Sequence, residues 1–291
     1  MTGDTLQEFK KVLIDTFRFL IGYLEENNIS YFAIGGTALG AIRHHGMIPW
    51  DDDVDILIPR KDYDRLCALN KDSLIKEGYS FISLEDEGYY LPYAKFCNNR
   101  TTIWEVKQWP YIVGAWVDVF PLDYVNIPYT ELIKKKKRMM SSLYKYQSCI
   151  AEGSIKDVFM QLIGGHAHLT WNAINAVIYK KKNAKKHLED FKKYLKEFTV
   201  DNGDYCTLLF GVYNERDYFP SKWFDNYKLL PFEGFDVRVP ELCEEYLTFV
   251  FGDYMQLPPE SEREPKHNLY YCNLRERKTL EEVRKEIQGH D

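Results

Sequence analysis

The hydrophobic pattern begins with an amphipathic helix over residues 4–27. Its apolar side chains recur every three or four positions, which places them on one face of a helix: Leu6, Phe9, Leu13, Phe17, Leu20 and Leu24. The apolar run 29–34 then predicts a short buried strand, which ends at Gly35-Gly36. Thr37 follows and is placed to cap a second helix, which we expect to reach the break at residues 44–46.

Strand-like and helical segments follow one another through the rest of the chain. We expect strands at 54–59, in several pieces between 79 and 107, and at 114–123, with a helix at 60–69. Residues 129–198 have helical spacing and many lysines. Shorter strands come next, then a helix at 241–252 that Gly252 caps and a last helix at 278–288. The pattern predicts an α+β fold with a mainly helical middle region.

Composition narrows the class of protein. The 291 residues are 45% hydrophobic, enough for a sizeable core, and a formal charge of −6 argues against a nucleic-acid binder. No apolar run approaches the ~20 residues of a membrane span, and the N-terminus shows no apolar signal-peptide segment. Six scattered cysteines fit a reducing compartment. We therefore expect a cytoplasmic protein with no integral membrane segment.

Acidic residues crowd the start of the strand predicted at 54–59. The stretch IPWDDDVDILI (48–58) holds four carboxylates in five positions. Asp53 and Asp55 are two residues apart, so they point to the same face of a strand. Like charges this close resist ionising together unless a cation or hydrogen-bond donors offset them. A solvated turn, in which Asp51 or Asp52 merely caps, is one explanation, and a site for Mg²⁺ is the other.

A third carboxylate, Asp118, stands alone among apolar residues in the strand predicted at 114–123. Burying it without a partner is costly, so it is either a hydrogen-bonded structural acid or part of a site. If its strand lies beside that of Asp53 and Asp55, three carboxylates converge, which suits a one- or two-metal site for phosphoryl or nucleotidyl transfer. Gly35-Gly36 and the helix after them would offer an anion-binding surface, although such turns are common without ligands.

Three stretches of the chain, residues 31–66, 111–123 and 246–267, resemble the LicD family, and the following segments carry the resemblance. They are GGTALGAIRHHGMIPWDDDVDILIPRKDYDRL (35–66), WVDVFPLD (116–123) and YLTFVFGDYMQLPPESEREPKH (246–267). The family includes bacterial phosphocholine transferases that act on teichoic acid or lipopolysaccharide and, distantly, fukutin-related sugar-phosphate transferases. The resemblance implies a nucleotidyltransferase-like mixed sheet flanked by helices. We expect a catalytic core at 1–128, a helical region at 129–200 and an α/β segment at 201–291 that completes the catalytic domain.

The resemblance also implies roles for particular residues. Mg²⁺, with Mn²⁺ as the alternative ion, would be held by Asp53, Asp55 and Asp118, and Asp118 would serve as ligand or as proton acceptor. The remaining candidates would bind the substrate or support the metal ligands, although a surface lysine is an equal alternative for Lys95. Gly35, Gly36 and Thr37 would hold a donor phosphate, and Arg43 and Lys95 would supply positive charge to the phosphates. Asp51 would orient Arg43 or support the metal ligands. Trp50 is among the aromatic residues that could bind choline, and His267 would lie near the nucleotide or the acceptor.

The implied partners are CDP-choline and a glycan acceptor that is typically lipid-linked, with CMP released. The alternatives are another CDP-alcohol or nucleotidyl transferase of the same fold, and an inactive member that binds a nucleotide. Lysine-rich stretches at 134–137 and 180–186 are most simply solvated helix faces. Peripheral contact with the inner face of the cell membrane is the other explanation for them.

Overall fold

A long N-terminal helix lies against the two longest strands of a central sheet. The structure is a computed structural model that describes residues 3–152 and 183–289; residues 153–182, part of the predicted helical region, lie outside it. The described helices are α1 (Gly3–Glu26), α2 (Gly35–His44), α3 (Arg60–Ala68), α4 (Asp72–Lys76), α5 (Tyr129–Ile150), α6 (Ala184–Lys196), α7 (Cys243–Phe251) and α8 (Leu280–Gly289). The described strands are β1 (Phe32–Ala33), β2 (Asp55–Pro59), β3 (Tyr79–Ile82), β4 (Ala94–Trp104), β5 (Val113–Val125), β6 (Tyr205–Thr207), β7 (Tyr218–Pro220), β8 (Tyr227–Phe232), β9 (Phe235–Pro240) and β10 (Tyr271–Asn273).

Eight of these strands form one mixed sheet, so the predicted α+β class is confirmed for the described part of the chain. The order is β1-β2-β5-β4-β10, with β3 also paired to β4, and with β6 joining β5 to β7. The β2–β5 pair is parallel, and the other pairs are antiparallel. Strands β8 and β9 form a separate hairpin. Strands from the last third of the chain (β6, β7 and β10) thus extend the sheet that residues 32–125 build, while the three-part division into domains stays a prediction.

The predicted apolar stripe of α1 is buried. All six of its predicted core residues are at most 8% exposed, and the helix lies against β5 and β4. Phe9 meets Trp116 of β5 edge to face, at 6.3 Å between ring centroids. Burying such side chains stabilises the fold by roughly 1.5–3 kcal/mol each, so α1 anchors one face of the sheet. A second apolar cluster lies between α5 and α6.

Several element boundaries differ from the predicted ones. Only Phe32 and Ala33 of the run 29–34 form a strand, and the apolar pieces after residue 90 join into one strand, β4. The predicted cap at Thr37 is wrong, because the N-cap of α2 is Ile34, three residues earlier. The helix begins early because the Ile34 carbonyl already accepts the Ala38 N–H at 3.1 Å, and Gly35 between them takes φ +54°, a conformation that glycine adopts at little cost. The predicted cap at Gly252 is confirmed: it ends α7 with φ +73°.

None of the helices in the two described ranges is both long and apolar enough to cross a bilayer.

Candidate active site

The parallel pairing of β2 with β5 places two of the predicted carboxylates side by side. In the register of the two strands, Asp55 is the partner of Asp118. The Asp118 N–H donates to the Val54 carbonyl at 2.8 Å, which extends the pairing to the residue before β2. Asp53 lies two residues ahead of Asp55 and interacts electrostatically with both Asp51 and Asp118. Asp53, in the loop before β2, therefore lies close to Asp55 on β2 and Asp118 on β5.

Asp51, Asp52, Asp53, Asp55 and Asp118, here called the acid cluster, have electrostatics that favour a bound cation. Burial, followed by the charge of Asp51, raises the pKa of Asp53 to about 8. Burial and the charges of Asp53 and Asp118 also raise the pKa of Asp55 well above its ordinary value. Among the described residues, Asp51, Asp52 and Asp53 form the group whose oxygen atoms lie within 4.8 Å of one another and could hold a metal ion. Of the three predicted ligands this group includes Asp53 and not Asp55 or Asp118, so metal binding by those two stays a prediction. Partly buried carboxylates that repel one another and offer hard oxygen ligands fit a divalent ion such as Mg²⁺.

The Gly-Gly turn packs directly against these acids. A Cβ added to Gly36 would overlap the Oδ2 atom of Asp51, and one added to Gly35 would lie 3.4 Å from the Oδ2 atom of Asp55. The Gly35 N–H donates to the Tyr246 hydroxyl at 3.1 Å. Thr37 is buried, and its hydroxyl accepts the Asp55 N–H at 2.8 Å. The turn therefore sets the position of the acid strand, whereas phosphate binding by these three residues stays a prediction.

Lys95 lies beneath Asp118 and is 1% exposed, so the alternative of a surface lysine is wrong. Its Nζ atom is 2.9 Å from the Oδ1 atom of Asp118 and 3.3 Å from the Oε1 atom of Glu105. Burial opposes the charge on this ammonium, but the two carboxylates outweigh it and raise the pKa of Lys95. The Lys95 ammonium thus forms ion pairs with Asp118 and Glu105 within the protein, and its predicted contact with a substrate phosphate stays a prediction.

His267 joins the C-terminal loop to the acid cluster through Asp52. Its Nδ1 atom is 2.9 Å from Oδ1 of Asp52, and its backbone N–H donates to Oδ2 of the same residue at 3.1 Å. The hydrogen bond to Asp52 is the main reason that the pKa of His267 rises to about 9. Asp52 is 2% exposed, so it is a tether for this loop and not a solvated cap.

Arg43 and Trp50 contact the same C-terminal loop. Arg43 donates to the carbonyls of Tyr254 and Gln256, at 2.6 and 3.4 Å. These contacts, and not a pairing with Asp51, orient its guanidinium within the described structure. The guanidinium of Arg263 lies 5.4 Å from the ring centroid of Trp50. Arg43 and Trp50 thus both contact the C-terminal loop, through residues 254–263.

The loop that leads into the acids is held from two sides. Lys10 is buried, and its ammonium donates to the Ile48 carbonyl at 2.6 Å. Glu233, at the tip of the β8–β9 hairpin, accepts the Met47 N–H at 3.0 Å and donates its own N–H to the His45 carbonyl at 3.0 Å. Glu233 takes φ +50°, which is unusual for a residue with a side chain. These contacts fix the acid-bearing loop from segments far away in the chain.

Four residues at the site have no signal in the sequence. Glu105 follows an apolar run like many surface acids, and Tyr246 lies in an apolar helix where a core ring is the ordinary expectation. Lys10 is spaced as a polar-face residue of α1, and Glu233 lies in a turn. Only their contacts show that they hold Lys95, Gly35 and the loop before the acids.

Comparison with known proteins agrees with this geometry. The nucleotidyltransferase domain described as LicD/FKTN/FKRP matches residues 28–151, which contain β1 to β5 and the acid cluster. Lipopolysaccharide cholinephosphotransferase LicD of Haemophilus influenzae is 30% identical over 273 residues, covering 90% of this chain and 96% of that protein. Ribitol 5-phosphate transferase FKRP of Mus musculus is 44% identical over 106 residues, which are 35% of this chain and 20% of that protein.

The mixed sheet, the Gly-Gly turn and the acids on two neighbouring strands thus define a transferase with a nucleotidyltransferase domain. The chain belongs to the LicD family.

Proposed function

We propose that the protein transfers phosphocholine from CDP-choline to a sugar hydroxyl of a cell-surface glycan precursor, teichoic acid or lipopolysaccharide, and releases CMP. The observation that carries this proposal is the alignment with the Haemophilus influenzae cholinephosphotransferase, which spans nearly all of both chains. The match to the nucleotidyltransferase domain, over residues 28–151, contains Asp51, Asp52, Asp53, Asp55 and Asp118.

The reaction joins the sugar oxygen to the phosphorus that bears choline and breaks the bond between that phosphorus and the oxygen of CMP. Mg²⁺, or Mn²⁺ in its place, would be held by Asp53, Asp55 and Asp118 and would supply positive charge to the pyrophosphate. Asp118 is held by donors on both oxygens and would orient the metal or accept the proton of the sugar hydroxyl. The Gly35-Gly36 turn lets the donor phosphates approach the acids closely.

Aromatic side chains near the acids supply a reason for a choline substrate. A quaternary ammonium offers no hydrogen-bond donors, so it is recognised by aromatic faces. Tyr93 is half-buried, lies near Asp118 and Asp55 and has its ring centroid 4.3 Å from that of Phe120. Tyr90 stacks on Trp109 at 4.7 Å. These rings are candidates for the headgroup site, together with Trp50.

A second candidate function is the transfer of another alcohol phosphate, such as ribitol phosphate. The partial match to a ribitol 5-phosphate transferase favours it, because the identity is 44% over 106 residues, against 30% over 273 residues for the cholinephosphotransferase. The fold and the acid cluster would serve either donor, since both are CDP-alcohols with the same pyrophosphate.

The acceptor would be lipid-linked, and the protein would then work in the cytoplasm at the inner face of the cell membrane. The lysines at 134–137 lie on α5, where they are exposed or half-exposed, and would attract an anionic surface. The other lysine-rich stretch, 180–186, begins outside the described residues.

An assay of CMP release across a panel of CDP-alcohols tests the donor. With Mg²⁺ and a glycan acceptor present, we expect CDP-choline to be consumed faster than CDP-ribitol or CDP-ethanolamine. Mass spectrometry of the acceptor should show the addition of phosphocholine. Preferred consumption of CDP-ribitol would replace the first proposal with the second, and CMP release from none of the donors would contradict both.

A further inference from the structure

A buried cation lies between two carboxylates on the side of Asp118 away from Asp55. Strands β4 and β5 are antiparallel, and their register pairs Lys95 directly with Asp118. On the other side of β5, Asp118 is paired with Asp55. Lysine and two acids thus form a row across three neighbouring strands, because paired residues of adjacent strands have side chains on the same face.

The position of Lys95 requires both of its carboxylate partners. An ammonium that is 1% exposed loses its hydration, and this loss must be offset by charge or hydrogen bonds within the protein. Asp118 at 2.9 Å and Glu105 at 3.3 Å offset it. Glu105 lies just past the end of β4, so it brings a second acid to the ammonium from the same strand as Lys95.

Trp116 binds both members of this ion pair. Its Nε1–H donates to Oδ2 of Asp118 at 3.0 Å, and its ring centroid lies 3.8 Å from the Lys95 ammonium. With Lys95 on Oδ1, each oxygen of Asp118 has a fixed donor. The Asp118 side chain therefore has one orientation before any ligand binds, and the Lys95 ammonium partly neutralises its charge.

We propose that Lys95 is a positioning residue that acts through Asp118, and that its ammonium takes the place of a second divalent ion. Two-metal sites hold their ions about 3.5–4 Å apart and bridge them with a shared carboxylate. A second ion bridged by Asp118 and Glu105 would need the position of the Lys95 ammonium. The site therefore binds one divalent ion, on the side of Asp53 and Asp55. This inference rests on the proposed function only in taking the acids as a divalent-metal site.

Counting bound ions tests the inference without relying on any donor. Mn²⁺ alone is titrated into the metal-free protein, and free Mn²⁺ is followed by electron paramagnetic resonance. We expect one ion per wild-type chain and two per Lys95→Met chain, in which Asp118 and Glu105 face each other with no cation between them. Lys95→Arg keeps the charge and should bind one ion. The double variant Lys95→Met/Glu105→Gln lacks the second acid and should also bind one.

Lys71→Met is the matched control, because Lys71 also pairs with an acid, Asp86 at 3.1 Å, and lies 5.7 Å from a ring centroid, that of Phe81. It should bind one ion and keep wild-type activity.

In the CMP-release assay we expect Lys95→Met to lose about 10- to 100-fold in activity, the range seen when a group that orients a metal ligand is removed. Lys95→Arg should regain part of that activity.

A wild-type count other than one would overturn the inference, as would a Lys95→Met count equal to that of the wild type. If Lys95→Met does not fold, Lys95→Gln, which removes the charge but keeps a hydrogen-bond donor, is counted in its place: we expect two ions per chain, and a count of one would overturn the inference. A count of one in a protein that does not consume CDP-choline would sink the proposed donor and leave the inference about Lys95 standing.

Discussion

Replacing Asp53 or Asp118 by Asn is expected to reduce CMP release by about 1000-fold, the order of effect seen when one group of a preorganised charge site is lost. Each replacement removes one negative charge from the place where the metal and the pyrophosphate would meet. The fold should survive in Asp53→Asn, because burial and neighbouring acids already raise the pKa of Asp53 to about 8. Asp118→Asn removes the charge that lies 2.9 Å from the buried Lys95 ammonium, so its free energy of unfolding should fall by about 3–5 kcal/mol. An ionised carboxylate with a raised pKa opposes folding, so the metal-free Asp53→Asn protein should be at least as stable as the wild type.

Steady-state rates and a urea-unfolding curve for each variant measure the two parts of this expectation. Asp236→Asn is the matched control, because Asp236 is an exposed strand residue on the β8–β9 hairpin. It should change neither the rate nor the free energy of unfolding. Wild-type activity in either the Asp53 or the Asp118 variant would contradict the three-acid site.

Gly36→Ala is expected to lower CMP release by about 100-fold, the cost of shifting a reacting geometry by about 1 Å. The added Cβ would overlap the Oδ2 atom of Asp51, so the acid loop would have to move. That loop is held by Lys10 and Glu233, which leaves it little room to adjust. Rates at saturating and limiting CDP-choline show whether the loss lies in turnover or in binding.

The control for this variant is Gly22→Ala in α1, where an added Cβ meets no atom within 4 Å. Alanine is the better helix former by roughly 0.5–1 kcal/mol, so this variant should be as active as the wild type and no less stable. Equal activity of Gly36→Ala and Gly22→Ala would show that the contact between the turn and Asp51 does not matter for the reaction.

The spacing of apolar residues and local backbone preferences were sufficient to predict features that depend on a single helix. The apolar stripe of α1 follows from helical spacing alone, and all of its predicted core residues are buried. The glycine cap of α7 follows from local backbone preferences in the same way. Strand boundaries were harder: β4 spans two apolar pieces that the sequence separates, because pairing with β3, β5 and β10 continues the strand through them.

The candidate site divides along the same line. Asp53 and Asp55 are recognisable together because a strand places alternate residues on one face. Asp55 lies beside Asp118 because β2 pairs with β5. The sequence predicts both strands, but it does not show that they are neighbours. Thr37 was predicted as a cap, but the helix already begins at the Ile34 carbonyl, and the Thr37 hydroxyl accepts the Asp55 N–H instead.

Contacts between distant segments could not be foreseen at all. Lys95 and Glu105 are ten residues apart in the chain, yet they share one buried ion cluster with Asp118. Asp52 and His267 lie more than two hundred residues apart and are joined by hydrogen bonds. Such contacts follow from how the sheet and the C-terminal loop pack, and no local pattern encodes them.

The central claim is that the acids of β2 and β5 form a divalent-metal site that binds a CDP-alcohol. The most direct measurement is the melting temperature of the wild-type protein with and without Mg²⁺, in the presence of CDP-choline. A ligand that binds the folded state alone stabilises it, and here it would also relieve the repulsion among the acids. We predict that Mg²⁺ raises the melting temperature of the wild type and not that of Asp53→Asn. A wild-type melting temperature that does not change with Mg²⁺ would contradict the account.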